Sequence, residues 1–165
     1  MSKTLTWVGG LVVLVALGAF GYWTISPYFR KVTVNDALPQ APVSNDQSQP
    51  ATGATGGQPV VLAAGTVVGT SGHPASGQAT LVQVDNAMYV RYENFHTLNG
   101  PDIYVYLSKD KDAKDFVNLG KVKATDGNVN YEVPAGVDAT QYPYVLTWCK
   151  TFSVLFNSAE LVPTE

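Results

Sequence analysis

GQATLVQVDNAMYVRYENF, Gly77 to Phe95, holds two apolar or alternating runs separated by Asp85-Asn86. Val, Tyr, Phe and Thr suit a pleated, half-buried surface, and two such runs around a short Asp-Asn connection read as a hairpin. Outward from it the pattern repeats. Before it comes PVVLAAGTVVG; after it come IYVYLS, FVNLGKVKA, VNYEVP, YPYVLTW and FSVLF, with Gly, Asn, Asp and Pro between them. No run sustains a helical period and no internal repeat is visible. The spacing predicts an all-β domain, an antiparallel sandwich or barrel. Asn99-Gly100-Pro101 and Asp126-Gly127-Asn128 read as further tight connections. The charged stretch KDKDAKD, Lys109 to Asp115, reads as a short helix or helical turn capped by Ser108.

Upstream, the composition changes twice. From Thr4 to Phe29 no residue is charged, and LTWVGGLVVLVALGAFGYWTI, Leu5 to Ile25, carries Trp7 near one end and Tyr22 and Trp23 near the other. About 20 apolar residues cross a hydrocarbon core of roughly 30 Å, with aromatic rings at its two interfaces, so this stretch reads as an uncleaved transmembrane anchor. A cleavable signal peptide ending near Ala16-Leu17-Gly18 is the alternative, and the apolar run overshoots that site. Asn35 to Pro59 is rich in Pro, Gln, Ser, Thr and Gly, which reads as a flexible tether with a reach of about 25 to 30 Å. The chain then divides into an anchor with its flanks (1–31), a linker (32–59) and a β domain (60–165). Lys3 lies on one side of the anchor and Arg30 and Lys31 on the other, so charge alone leaves the orientation open. A tether of this kind suits display outside the cytoplasm, and the expected location is a single-pass membrane protein with its C-terminal domain extracytoplasmic.

The formal net charge is −3, and from residue 32 onward seven Lys or Arg stand against thirteen Asp or Glu. No segment beyond residue 31 gathers basic residues, which speaks against nucleic acid as a partner.

The chemistry turns on one thiol. Cys149 is the only cysteine; it cannot close an intramolecular disulfide, so it is either a buried small hydrophobe or a working thiol. In an extended strand Tyr144, Leu146 and Trp148 share one face, and Val145, Thr147 and Cys149 share the other. His73 and His96 fall in loop-like segments. With Cys149 and Met88 they supply the ligand types of a cupredoxin copper site, but no His or Met follows Cys149, and the order speaks against copper. No metal site is assigned, and the histidines read as solvated loop residues or hydrogen-bond partners. Neither a nucleophile elbow, nor a telling carboxylate pair, nor a zinc motif supports a hydrolase.

Four ordered segments, GTVVGTSGHPASGQATLV, RYENFHTLNGPDIYVYLS, NLGKVKATDGNVNYEVP and YPYVLTWCKTFSVLFNSAEL, together resemble the DM-thirteen domain, an electron-transfer module often found beside DOMON domains. The resemblance covers Val61 to Pro163 and includes neither anchor nor tether. It implies a small extracytoplasmic β domain whose redox residue is one cysteine in a W-C-x-x-F-S setting, which Trp148, Cys149, Phe152 and Ser153 match. It leaves open whether the thiol acts alone or ligates a group such as haem. These residues include no DOMON or cytochrome segment, so the resemblance implies a separate redox partner protein. The leading expectation is a membrane-anchored redox module in which Cys149 works, Trp148 shapes its pocket, and His96 or His73 serves as second ligand or proton partner. Whether the chain is an enzyme stays open. The alternative is a non-catalytic binding or adhesion module that presents Ser71 to Gly77 and Asn94 to Asp102, with Cys149 merely packing.

Overall fold

The Gly77 to Phe95 stretch forms the hairpin that its residues demand. In the computed structural model, which describes residues 3–26, 30–40 and 57–164, Ser76–Val84 (β4) and Ala87–His96 (β5) pair antiparallel, with Val84 opposite Ala87. Asp85 takes φ 50°, the left-handed conformation that Asp tolerates in a two-residue hairpin turn.

The other strands are β1 (Thr33–Asn35), β2 (Val60–Thr66), β3 (Val68–Gly69), β6 (Ile103–Ser108), β7 (Phe116–Lys121), β8 (Asp126–Glu132), β9 (Tyr144–Cys149), β10 (Val154–Glu160) and β11 (Val162–Pro163). They form two sheets, ordered β1-β8-β5-β4-β2-β11 and β3-β10-β9-β6-β7. This is the expected sandwich. Leu81, Val90, Tyr92, Val129 and Tyr131 of the first sheet meet Val105, Leu107, Val145 and Ala159 of the second in one core. Burying each larger apolar side chain contributes about 1.5–3 kcal/mol.

Three expectations fail, each for a physical reason. Asp126-Gly127-Asn128 is not a turn: these residues begin β8, and β1 runs parallel beside them, with Val34 opposite Gly127. A Cβ on Gly127 would stand 2.1 Å from the carbonyl oxygen of Val34, so this glycine admits a neighbouring strand. Lys109 to Asp115 forms turns and bends without a helix. There the Asp110 carboxylate accepts from the Asp112 and Lys114 amides at 2.8 and 3.2 Å, and Ala113 has φ 53°.

The third correction concerns residues 32–59. Their beginning belongs to the sheet: besides β1, the buried Arg91 donates through Nη1 to the carbonyls of Asp36 and Ala37, at 3.2 and 3.1 Å, and to Asn130 Oδ1 at 2.9 Å. Asn130 in turn donates to Asp36 Oδ2 and to the Ala37 carbonyl. The chain therefore docks on the domain by Val32, whose carbonyl accepts from the amides of Thr125 and Asp126. The tether reading for residues 41–56 lies outside the described residues.

The Lys3–Ile25 helix (α1) has 23 residues, about 35 Å at 1.5 Å per residue. Every described side chain from Trp7 to Phe20 is exposed, Trp7 at 81%. Among the described residues no helix is long and apolar enough to cross a membrane.

Candidate functional site

Cys149 closes β9, flanked by Ile103 of β6 and Val154 of β10. Alternation turns it inward with Val145 and Thr147, toward the opposing sheet, and its exposure is 0%. It does not join the main core. With Ile103 and Phe156 it forms a second apolar cluster, against which Val122 packs.

A bulge in β10 between Leu155 and Asn157 builds that cluster. Regular alternation would send one of Phe156 and Asn157 outward; the extra residue lets both be buried, at 2% and 1% exposure. Gly100 closes the cluster from the loop before β6. A Cβ there would lie 2.9 Å from Ile103 Cγ2 and 3.0 Å from Phe156 Cζ, so the backbone approaches closer than any side chain allows. The following turn is tied to the cysteine strand: Lys150 N donates to the Asp102 carbonyl at 2.9 Å, and Thr151 Oγ1 to Asp102 Oδ2 at 3.0 Å.

The sequence-chosen companions of Cys149 separate. His73 lies nearest in arrangement: its ring tilts against Phe156 with centroids 4.0 Å apart, so Phe156 touches both it and the cysteine cluster. His73 Nδ1 is 3.2 Å from Thr70 Oγ1, and that hydroxyl donates to the carbonyls of Leu155 and Phe156. Trp148 sits on the outer face of the sheet, opposite Tyr104 and Leu155, and does not wall the inward-facing thiol. His96 belongs to the other sheet, where its Nδ1 pairs with Asp126 Oδ1 at 2.8 Å. That hydrogen bond, aided by one from Thr125 and by the charges of His96 and Lys31, holds the Asp126 carboxyl below the usual aspartate range against the effect of desolvation. Met88 stands at the other end of β5 from His96.

Sequence reasoning missed Phe156, Ile103 and Gly100, and also a polar group beside them. Thr147 Oγ1, Asn157 Oδ1 and Tyr92 OH are buried without a hydrogen-bond partner, while Asn157 Nδ2 donates to Thr97 Oγ1 at 2.9 Å. Thr147 and Asn157 are cross-strand partners, and Thr147 shares the inner face with Cys149. Burial raises the Tyr92 phenol far above its ordinary range; the Thr147 hydroxyl opposes the rise without reaching hydrogen-bond geometry. Tyr131, edge-on to Tyr92 at 6.0 Å, is pushed up to about 12 by burial, with the Lys123 amide opposing. Only the lone apolar thiol had a signal in the sequence; the bulge that turns Asn157 inward has none.

A haem does not fit here as the site is packed. The sulfur is fully enclosed by Ile103, Phe156 and Val122. The two grooves described on the β domain, one along Thr66 to Thr70 and Leu155, the other along Leu62, Tyr142 and Leu161, do not include it. What the arrangement offers is a dry, sealed thiol, with unengaged acceptor atoms next along the same face.

No curated protein and no solved structure matches the chain. The family described as electron transfer DM13 matches residues 67–161, from the link between β2 and β3 to the residue after β10. With more than half of the 165 residues matched, the cysteine strand among them, the chain belongs to the DM13 electron-transfer family.

Proposed function

We propose that this chain is a membrane-anchored electron-transfer module whose redox group is the Cys149 thiol. The observation that carries the reading is that the one thiol of an electron-transfer domain is fully enclosed. Thiol–disulfide exchange needs a partner sulfur in contact with the attacking one, and this sulfur offers no approach. An electron needs no such contact. One-electron oxidation by a separate redox protein converts the thiol to a thiyl radical and releases one proton, which passes to solvent when the loop over the cluster opens locally. The test is voltammetry of the full chain on a lipid-coated electrode. A redox wave present in the wild type and absent from Cys149→Ala is expected, and a wave unchanged in the alanine variant rules out the thiol.

The anchor reading is supported by the charge-free run from Thr4 to Phe29 and by a 23-residue helix whose described apolar side chains are exposed. An extracytoplasmic position of the domain is part of the same proposal, supported by its resemblance to the family. Flotation of the full chain with vesicles after alkaline washing tests the anchor.

Complete burial also favours a second reading, a binding module in which Cys149 only packs, because free cysteine is among the most buried residue types. Under it, Cys149→Ala changes stability and nothing else.

A further inference from the structure

The sandwich has two unlike ends. Strand registers gather Thr66 to Ala75, Thr97 to Asp102, Val122 to Thr125 and Lys150 to Ser153 at one of them. The Cys149 cluster lies there, and so does the point where the chain arrives from α1: Asn99 Nδ2 donates to the Arg30 carbonyl at 3.2 Å, and Val32 N to Thr125 Oγ1 at 3.0 Å. Four residues separate Ile25, the last of α1, from Arg30, so extended chain over the five steps spans at most about 18 Å between them. The expected long tether does not intervene, because its composition begins after this docking point.

Charge divides along the same axis. Among the described residues the arriving end carries Arg30, Lys31, Lys121, Lys123 and Lys150 against the carboxylates of Asp102 and Asp126. The opposite end carries most of the domain's acids, among them Asp85, Asp110, Asp112, Asp115, Asp138 and Glu160, against Lys109, Lys111 and Lys114, two of which are spent in ion pairs with Asp115 and Asp112. A chain of net charge −3 thus turns a cationic end toward α1. The same end exposes an aromatic tip: Phe152 is 61% and Val154 37% exposed, on a turn that Ser153 tightens with φ 52°.

We propose that the β domain stands on an anionic bilayer surface by this end, with Phe152 in the headgroup layer and Arg30, Lys31 and Lys150 against the phosphates, Lys121 and Lys123 being held by Asp102 and by the Asn130 carbonyl. This rests on reading α1 as a membrane anchor. An amphipathic ring at the interface, basic side chains near anionic headgroups and a short connection to the anchor all act in one direction. The Cys149 cluster then faces the membrane.

The test uses the full chain in vesicles containing anionic lipid. Because Cys149 is the only cysteine, Cys149→Ala with Phe152→Cys, or with Asn86→Cys at the far hairpin, gives a single site for an environment-sensitive fluorophore. Quenching by lipid-borne nitroxide several-fold stronger at 152 than at 86, and lost in vesicles of neutral lipid, is expected. Equal quenching at both sites in a chain that floats with the vesicles overturns the docking and leaves the anchor standing. A chain that does not float overturns both. Amide hydrogen exchange on the unmodified chain gives an independent reading should the labelled variants misfold. Residues 151–153 are expected to exchange several-fold more slowly on anionic vesicles than in neutral micelles, with 85–87 unchanged; no difference at 151–153 overturns the proposal.

Discussion

Replacing Cys149 by Ser and by Ala should reverse the order that size alone gives. Serine is nearly the shape of cysteine and alanine is smaller, so a simple packing argument ranks Ser as milder. The sulfur, however, is 0% exposed and its cluster is Ile103, Phe156 and Val122, none of which offers a polar side-chain atom. Thr147, two positions along the same face, is about 6.6–6.8 Å away along the strand. A serine hydroxyl is therefore buried without a partner, at a cost of about 1–3 kcal/mol. Alanine removes one heavy atom and adds no polar group, at about 1 kcal/mol. Urea unfolding of the full chain in non-ionic micelles, followed by near-ultraviolet circular dichroism, separates the two. With a slope of about 1–2 kcal/mol per molar for a domain of this size, Ser should lower the midpoint by roughly 1 M or more, and Ala by less. Should Ser prove as stable as wild type while Ala is worse, the pocket is neither dry nor apolar, and the electron-transfer argument loses its sealed thiol.

The same structure fixes three other outcomes. Gly100→Ala drives a Cβ against Ile103 and Phe156 and should cost about 1–3 kcal/mol as overpacking, read in the same urea titration; no loss means that the 97–102 loop yields freely. Arg91→Met removes hydrogen bonds to Glu93, Asn130 and the Asp36 and Ala37 carbonyls, so a loss of roughly 2–4 kcal/mol is expected, with the amide of Asp36, bonded to the Asn128 carbonyl, exchanging faster. Asp126 has a depressed folded pKa, so its stabilisation is complete above the ordinary aspartate value of about 3.9 and is lost as pH falls through the lower folded value. Asp126→Asn should therefore flatten the acid limb of the stability profile below about pH 4 and lower stability at neutral pH; an unchanged acid limb removes the His96–Asp126 pair as its source.

What the sequence revealed, and what it hid, follows the range of the interactions involved. The β4–β5 hairpin is local: two alternating runs and a two-residue turn dictate it within twenty residues. The inward face of Cys149 is local too, since alternation along β9 needs no partner. β1 was hidden because Thr33 to Asn35 are too few to show an alternating run and become a strand only through groups far along the chain, chiefly Thr125, Gly127 and Asn128. Asp-Gly-Asn at 126–128 misleads for the same reason: the missing side chain that suits a turn also suits the close approach of a second strand. Lys109 to Asp115 lost its helix to side-chain competition, as Asp110 satisfies backbone amides that a helix would have used.

The position of the site in the chain then bears on how an electron would reach it. Cys149, Phe156 and Gly100 come from three separate segments, and the loop that carries Gly100 also holds Asn99, which binds the Arg30 carbonyl. The contact that seals the thiol and the contact that receives the chain from α1 are thus neighbours on one loop. Disturbing the arrival of the chain should disturb the seal. Asn99→Ala removes the bond to Arg30 and the Asn99 Oδ1 contact with the Gly100 amide, two exposed or half-buried hydrogen bonds worth about 1 kcal/mol each. Global stability should fall by about 2 kcal/mol at most, whereas reaction of Cys149 with a small neutral disulfide reagent should accelerate several-fold under conditions where the sandwich stays folded, because local opening of the 97–102 loop uncovers the sulfur without unfolding the sandwich. A thiol that reacts no faster in Asn99→Ala than in the wild type would mean that the cluster is closed by Ile103 and Phe156 alone.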